Sequence, residues 1–483
     1  GMRDVCFVLV GQCGAQLGGA LFERVAALHA PPRGDTKHHP PASSRSSAAR
    51  VSGKRPLPPL STKIRCHAVA ADSELKAVRS VFAGCNPAAL GVALDTVTRR
   101  GGGAGGNFAL GYHGRRGGID RSRQTIHWKP VAAARHTGGA AAAAADGLGA
   151  AHDGEPLHDR VMEAVRRVAE RCAPVSFVIV HALAGGTGSG LGARLLESLR
   201  DEFPAHHIVT VTVTPFSAGE NPMQSYNAVL CHRALQRFAD ATLLFHNDDL
   251  VTIAAKPARR GDKASRGNGR VSLDKCNGVV SAAVVGAIGP VVDPNGGNDA
   301  ARHTRLWEVI GAVAPSPAWK LLRAVSAIPA AGTAASSGAL SSVASRALDV
   351  LPLYDAAQAR VRTIAAQVTV RGFTESAWYR DGPSLEKTVS RALEPVEWNP
   401  FVIDTRWDTQ QLGHKAAPPH PGVAILVNRT DAADGLRTVL DKAKTMHKAR
   451  AYWHWFEQCG CTDTDFTEAF EEVHSIVENY AAA

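Results

Sequence analysis

A chain of 483 residues with 45% hydrophobic content is long enough for two or three packed domains, which excludes a small disulfide-stapled scaffold and a wholly disordered chain. Its net charge of +10 sits in two segments: residues 30–65 hold eight Lys/Arg against one Asp and residues 256–275 hold seven against two, so the remainder is slightly acidic. Both segments are rich in Pro, Ser or Gly without interleaved aromatics, which argues against a nucleic-acid partner, and nine scattered cysteines fit a reduced intracellular protein.

In chain order, "VCFVLVGQCGAQLGGALFERVAAL" reads as a strand, a tight glycine turn and a helix, and its apolar run is too short for a signal peptide. The Pro-, Ser- and Arg-rich segment from Pro31 to about Pro59 has no core-forming pattern, and a polar, then Ala/Gly-rich stretch over about 113–154 reads as a second low-complexity insertion. "LHDRVMEAVRRVAERCA" puts Val161, Ala164, Val165, Val168 and Cys172 on one helical face. "SFVIVHAL", "GLGARLLESLRDEF" and "HHIVTVTVTP" alternate strand, helix and strand, and such continuously apolar strands imply a parallel sheet covered on both faces. "CNGVVSAAVVGAIG" is apolar nearly all round, a buried helix; its longest apolar stretch falls short of the ~20 residues that span a bilayer. Strands "TIAAQVTVRG" and "GVAILVN" follow. The chain closes on one helix over "DGLRTVLDKAKTMHKARAYWHWFEQ" and a second over "DFTEAFEEVHSIVENY", whose stripe of Phe466, Phe470, Val473, Val477 and Tyr480 packs inward. The predicted architecture is α/β: a nucleotide-binding parallel-sheet domain over 1–250 with insertions at about 31–60 and 113–154, a core helix and smaller α/β domain over 251–430, and a C-terminal helical pair over 431–483.

Between the strand "SFVIVHAL" and its helix lies "ALAGGTGSGLG", residues 182–192. Glycines let backbone N–H groups converge on a phosphate, and a helix N-terminus adds about half a positive charge. A P-loop is excluded because no lysine follows the second glycine. The dinucleotide fingerprint is nominally present as Gly188-x-Gly190-x-x-Ala193, but the next strand ends "TVTP" without the acid that binds ribose, which leaves an NAD-dependent enzyme as the weaker alternative.

A third arrangement matches better. "GGTGSG" resembles the tubulin signature G-G-G-T-G-S-G with Ala184 for its first glycine, and "GQCGAQLG" at 11–18 is similar to the first tubulin nucleotide loop. "GAGGNFALGY", "QSYNAVL", "HNDD" and "CNGVVSAAV" follow in family order, so six motifs span some 280 residues. "AGGTGSGLGA", "FHNDDLVTIAAK" and the C-terminal "KARAYWHWFEQCGCTDTDFTEAFEEVHSIVENY" most resemble the delta-tubulin branch, and the chain's last residues resemble no Glu-rich tail.

The resemblance implies a GTP or GDP site. Gln12 and Cys13 fall beneath the phosphates and sugar, Gln16 on the base or ribose side, and Gly185, Gly186, Thr187, Gly188, Ser189 and Gly190 around the phosphates. Asn107 lies in the loop "GAGGNFALGY", where Gly106 replaces an asparagine of the family. Asn247 and Asn277 match the asparagines that read guanine, whose edge suits an amide's paired donor and acceptor. The family's ribose-binding glutamate is Gln224, its stacking aromatic is Leu273, and its acidic V-D-x-E-P loop is matched to "AGCNP", with Gly84 and Asn86 where carboxylates stand. That thins the Mg²⁺ side and leaves GTP-versus-GDP preference open. The acid that hydrolyses GTP across the longitudinal contact falls on Glu308, a general base acting in trans on the next subunit. The implied partners are other tubulins in centriolar microtubules, the location the cytoplasm and cytoskeleton at centrioles and basal bodies, with no membrane role. Another divergent tubulin forming ordinary protofilaments is the alternative, and the basic insertions are either spacers or docks for acidic tubulin tails.

Overall fold

The computed structural model describes residues 5–28, 66–72, 92–98, 106–113, 116–120, 125–129, 156–172, 176–255, 271–289, 306–329, 337–399, 402–408, 412–414 and 417–483, with single positions 78, 82, 87 and 104. Strand β1 (Val5–Val10) is buried throughout and turns at Gly11, φ +74°, directly into α1 (Gly11–Leu28). Strands β2 (Cys66–Asp72) and β3 (Val92–Thr98) follow, then the short α2 (Phe108–His113). Within the stretch read as a low-complexity insertion, β4 (Arg116–Asp120) and β5 (Thr125–Lys129) form an antiparallel hairpin; the alanine run beyond lies outside the described residues. Helix α3 (Leu157–Cys172) leads to β6 (Ser176–Ala182), a π-helical turn (Thr187–Leu191), α4 (Gly192–Glu202) and β7 (His207–Thr214). Next come α5 (Gln224–Phe238), β8 (Ala241–His246), α6 (Asn247–Ala255), α7 (Leu273–Ile288) and α8 (Leu306–Val313).

The second half runs β9 (Leu321–Ala327), α9 (Ala339–Leu348), β10 (Thr363–Arg371), α10 (Glu375–Ala392) and β11 (Ile403–Asp408). It continues with the two-stranded ribbon of β12 (Leu412–His414) and β13 (Ala417–His420), then β14 (Gly422–Arg429). The last elements are α11 (Asp434–Lys448), α12 (Trp453–Glu457) and α13 (Asp463–Ala481).

Ten strands align as β11-β10-β14-β9-β8-β7-β6-β1-β2-β3. From β3 to β8 every pairing is parallel, as the continuously apolar strands predict. Strand β9 joins β8 through only two residue pairs, Thr242 with Leu321 and Leu243 with Leu322, and β14 then runs antiparallel to both β9 and β10. The α/β expectation therefore holds, with one continuous sheet carrying a parallel half and a mixed half. One face is covered by α3, α4, α5, α11 and α13, the other by α1, α7 and α8, while α9 and α10 cover β10 and β14.

Helix α7 is the predicted buried helix: Val280, Ala283, Val284, Val285 and Ala287 are each about 1% exposed. Its C-terminal end is held by Arg371, which is fully buried with Asp408 at 3.0 Å and donates to the carbonyls of Gly286 at 3.0 Å and Gly289 at 2.7 Å. The C-terminal pair departs from expectation in its first member. The chain breaks at Arg450 and Tyr452, both left-handed (φ +51° and +57°), so α11 and α12 are separate helices. The final helix keeps the predicted stripe, with Phe466, Val473, Val477 and Tyr480 buried and Phe470 partly so, behind a Thr462–Asp465 capping box.

Candidate nucleotide site

Parallel strands deliver their C-terminal ends to one edge of the sheet, and in open α/β sheets ligands bind in the crevice outside those ends. Here β1 ends in the turn into α1 and, beside it, β6 ends in the glycine run; β1 and β6 pair from Val5–Ser176 to Leu9–Val180. The two loops touch backbone to backbone, because a Cβ built on Gly11 would lie 3.2 Å from the Gly188 nitrogen. Gln12 is exposed in the first turn of α1, with Cys13 and Gln16 half-buried behind it. Burial, helped by the charge of Glu220, pushes the Cys13 thiol up to about 12, so it stays protonated at neutral pH.

The glycines divide into two kinds. A Cβ on Gly186 would lie 2.4 Å from the Asn107 carbonyl, and one on Gly190 only 2.1 Å from the Phe108 carbonyl, so these residues let the run nest against the start of α2. Gly185 is exposed, with nothing within 4 Å of a built Cβ. Thr187 is half-buried, Gly188 is buried, and the fully buried Ser189 donates its hydroxyl to the Gly185 carbonyl at 2.5 Å, closing the loop on itself. The open backbone therefore faces outward at the start of the run.

Asn107 is 6% exposed and structural in its contacts: its Oδ1 accepts from the Ala109 amide at 2.8 Å, capping α2, and its Nδ2 donates to the Trp455 carbonyl at 3.0 Å. The fully buried Asn227 was not among the expected site residues, yet it ties the loops together. Its Oδ1 accepts from the Phe108 amide at 2.9 Å while its Nδ2 donates to Gly106 at 2.6 Å and Ala184 at 2.9 Å. It stands inside "QSYNAVL", one of the quoted motifs, which is the signal that could have found it.

Gln224 opens α5 with its side chain engaged: Oε1 accepts from the Glu220 amide at 2.8 Å and Nε2 donates to the Phe216 carbonyl at 3.2 Å. Beside it Glu220, also missed from sequence, is exposed and accepts from Asn247 Nδ2 at 3.1 Å. Asn247 begins α6, half-buried. Asn277 is half-buried one turn into α7, and Leu273, 59% exposed, lies four residues earlier on the same helical face. A carboxylate was expected to be missing near the phosphates. The segment of Gly84 and Asn86 lies outside the described residues, but β2, paired beside β1, ends in Asp72, which is 4% exposed. Among the described residues, "CHAVAAD" thus places one carboxylate at this strand end.

Glu308 lies half-buried in the first turn of α8; the last carbonyl of that helix, Val313, accepts from Asn428 Nδ2 at 2.9 Å, and the chain then enters β9, which begins beside the start of β8. Its neighbour Trp307 is 42% exposed.

Residues 4–255 match the profile of the Tubulin/FtsZ family, GTPase domain. The tubulin delta chain of Mus musculus is 25% identical over 360 residues, covering 68% of this chain and 75% of its own length. The tubulin beta-1 chain of Colletotrichum gloeosporioides is 26% identical over 335 residues, covering 68% and 70%. The tubulin beta chain of Trichophyton rubrum is 24% identical over 495 residues and covers 99% of this chain and 94% of itself. No helix among the described residues is long and apolar enough to cross a membrane. With glycine loops meeting at the ends of β1 and β6 and more than half its length matched by one family profile, the chain belongs to the tubulin/FtsZ family through its guanine-nucleotide-binding GTPase domain.

Proposed function

We propose that the chain is a delta-type tubulin subunit whose bound guanine nucleotide serves assembly, in support of the triplet microtubules of centrioles and basal bodies. The observation that carries the nucleotide part is the meeting of Gly11 with Gly188, which brings the start of α1 against the glycine run, whose Gly185 is exposed. The residues present fit the ligand. Backbone amides of Gln12, Cys13 and Gly185 to Thr187 bind phosphate oxygens at a positive helix end. Asn247 and Asn277 pair with the guanine edge, and Leu273 covers the base by apolar contact in place of an aromatic. The delta assignment rests on the quoted motifs and on the similarity to the mouse delta chain; ordinary protofilaments are the outcome to be distinguished, by whether the purified chain polymerises alone.

Two carboxylates complete the reading. Because the side chain of Gln224 is held by the backbone of its own loop, Glu220 accepts the ribose hydroxyl. Glu220→Ala is expected to weaken guanine-nucleotide binding about 10- to 100-fold, the worth of a hydrogen bond to a charged group, with Glu220→Gln in between. Asp72 is the group that holds Mg²⁺ beside the phosphates. Nucleotide released from denatured protein identifies the ligand; titration of GTP and GDP with and without Mg²⁺ then tests Asp72, since Asp72→Asn should remove about tenfold of Mg²⁺-dependent GTP affinity while sparing GDP. No released guanine nucleotide would overturn the reading.

GTP supplies the bond to be cleaved. Glu308 orients and deprotonates a water at the site of the neighbouring subunit. Glu308→Ala is expected to abolish assembly-dependent phosphate release and leave nucleotide binding unchanged; release at the original rate refutes this role.

A further inference from the structure

Behind the loop that carries Glu220, on the face of the sheet covered by α5 and α11, lies a cavity of about 310 Å³. None of Gly185 to Gly190, Asn247 or Asn277 lines it. Its walls are apolar, from Phe216, Leu244, Leu436 and Val439, and its size falls in the range of small-molecule sites. His232 and His246 stand in the wall, where His246 Nδ1 and Thr214 Oγ1 share a hydrogen bond at 3.0 Å.

Charge selects the kind of ligand. The nearest cation, Arg323, faces Asp249 at 3.7 Å and Asp431 at 3.8 Å, and Lys442 shares the lining with Asp248, so the cavity holds no net positive charge for an anion. We propose that this cavity is a second binding site, taking a neutral, largely apolar organic molecule of bicyclic size. Gln224 is the partition between the two sites. It lines the cavity, and its side chain holds the amide of Glu220 and the carbonyl of Phe216. An occupant that displaces Gln224 therefore loosens the loop that borders the nucleotide; this coupling, unlike the binding itself, rests on the function proposed above.

The test uses the full chain and the neutral dye prodan, a naphthalene ketone. One saturable site with blue-shifted emission is expected, together with at least tenfold weaker binding of the anionic 1-anilinonaphthalene-8-sulfonate. Val439→Trp fills the cavity and should abolish prodan binding without changing nucleotide content. Should Val439→Trp fail to fold, Thr438→Cys labelled with acrylodan replaces it, since Thr438 is exposed on α11 and also lines the cavity. Blue-shifted emission places the ring inside, and solvent-like emission overturns the proposal. Non-saturable prodan binding, preference for the anion, or binding unaffected by Val439→Trp also overturns it. Saturating prodan should change the rate of GDP release several-fold. Intact prodan binding in a protein without guanine nucleotide would refute the nucleotide reading and leave this site standing.

Discussion

Gly190→Ala is expected to destabilise the protein by more than about 3 kcal/mol, and Gly185→Ala by less than about 1. The added methyl at 190 meets two backbone atoms, the Phe108 carbonyl at 2.1 Å and the Tyr112 nitrogen at 2.7 Å, and neither moves by rotating a side chain. The segment that must give way is pinned: Asn227 binds the Phe108 amide and Asn107 caps α2. At Gly185 the methyl enters open space, so the fold is spared and the effect falls on the ligand, a loss of guanine-nucleotide affinity of at least about tenfold as the methyl occupies the phosphate approach. Urea denaturation midpoints and nucleotide titrations on the two variants separate the scaffold glycine from the ligand-facing one. Equal destabilisation would show that the two glycines do the same job.

The second large effect is acid sensitivity. His181, His232 and His246 are held neutral, at about 4, 3 and 4 against an ordinary 6.5. Burial is the main cause in each. His181 and His246 further depress His232, and Arg323 depresses His246 against the opposing charges of Asp431 and Asp248. His181 links β6 to the glycine run, with Nδ1 on the Gly188 carbonyl and Nε2 on Thr212, each at 3.1 Å. Since the folded values lie below the unfolded one, the unfolded chain takes up protons first as pH falls below 6.5, and stability is lost from there down to about 4. At pH 5 the loss is about 2 kcal/mol for each imidazole, by 1.36 kcal/mol per pH unit. Denaturation midpoints between pH 7 and 5 measure it, and His232→Leu should reduce the loss by about one third. Parallel curves for the variant and the parent would contradict this account.

What could be read beforehand was whatever repeats locally. Runs such as "SFVIVHAL" announce buried parallel strands because every position is apolar, and the stripe from Phe466 to Tyr480 shows its helical period directly. The glycine run stood out for the same reason, and the structure places it at the C-terminal end of β6. What it could not reveal was which glycine faces outward, because Gly185 and Gly190 differ only in what the distant Phe108 places next to them. The two acids proposed above, Glu220 and Asp72, escaped because a lone acid in a loop or at a strand end looks like any solvated carboxylate; the register of β2 with β1 and the contact of Glu220 with Asn247 are what drew notice to them. The break between α11 and α12 escaped because Arg450 and Tyr452 adopt the left-handed conformation without the glycine that usually announces it. The hairpin over residues 116–129 was hidden by the low-complexity sequence that follows it.

The Arg371–Asp408 pair has a mechanical consequence. Helix α7 carries Asn277 near one end, and at the other its terminal carbonyls grip a guanidinium with no exposure to water. Sliding the rod by one residue, about 1.5 Å, would pull Gly286 and Gly289 off that guanidinium. Arg371 would keep Asp408 but leave two buried donors without acceptors, at about 1–3 kcal/mol each, several times thermal energy in all, so there is no low-cost continuum of intermediate positions. Whatever tugs on Asn277 meets a latch rather than a spring: weak pulls are absorbed without travel, and only a pull strong enough to trip the far end reaches β10 and β11.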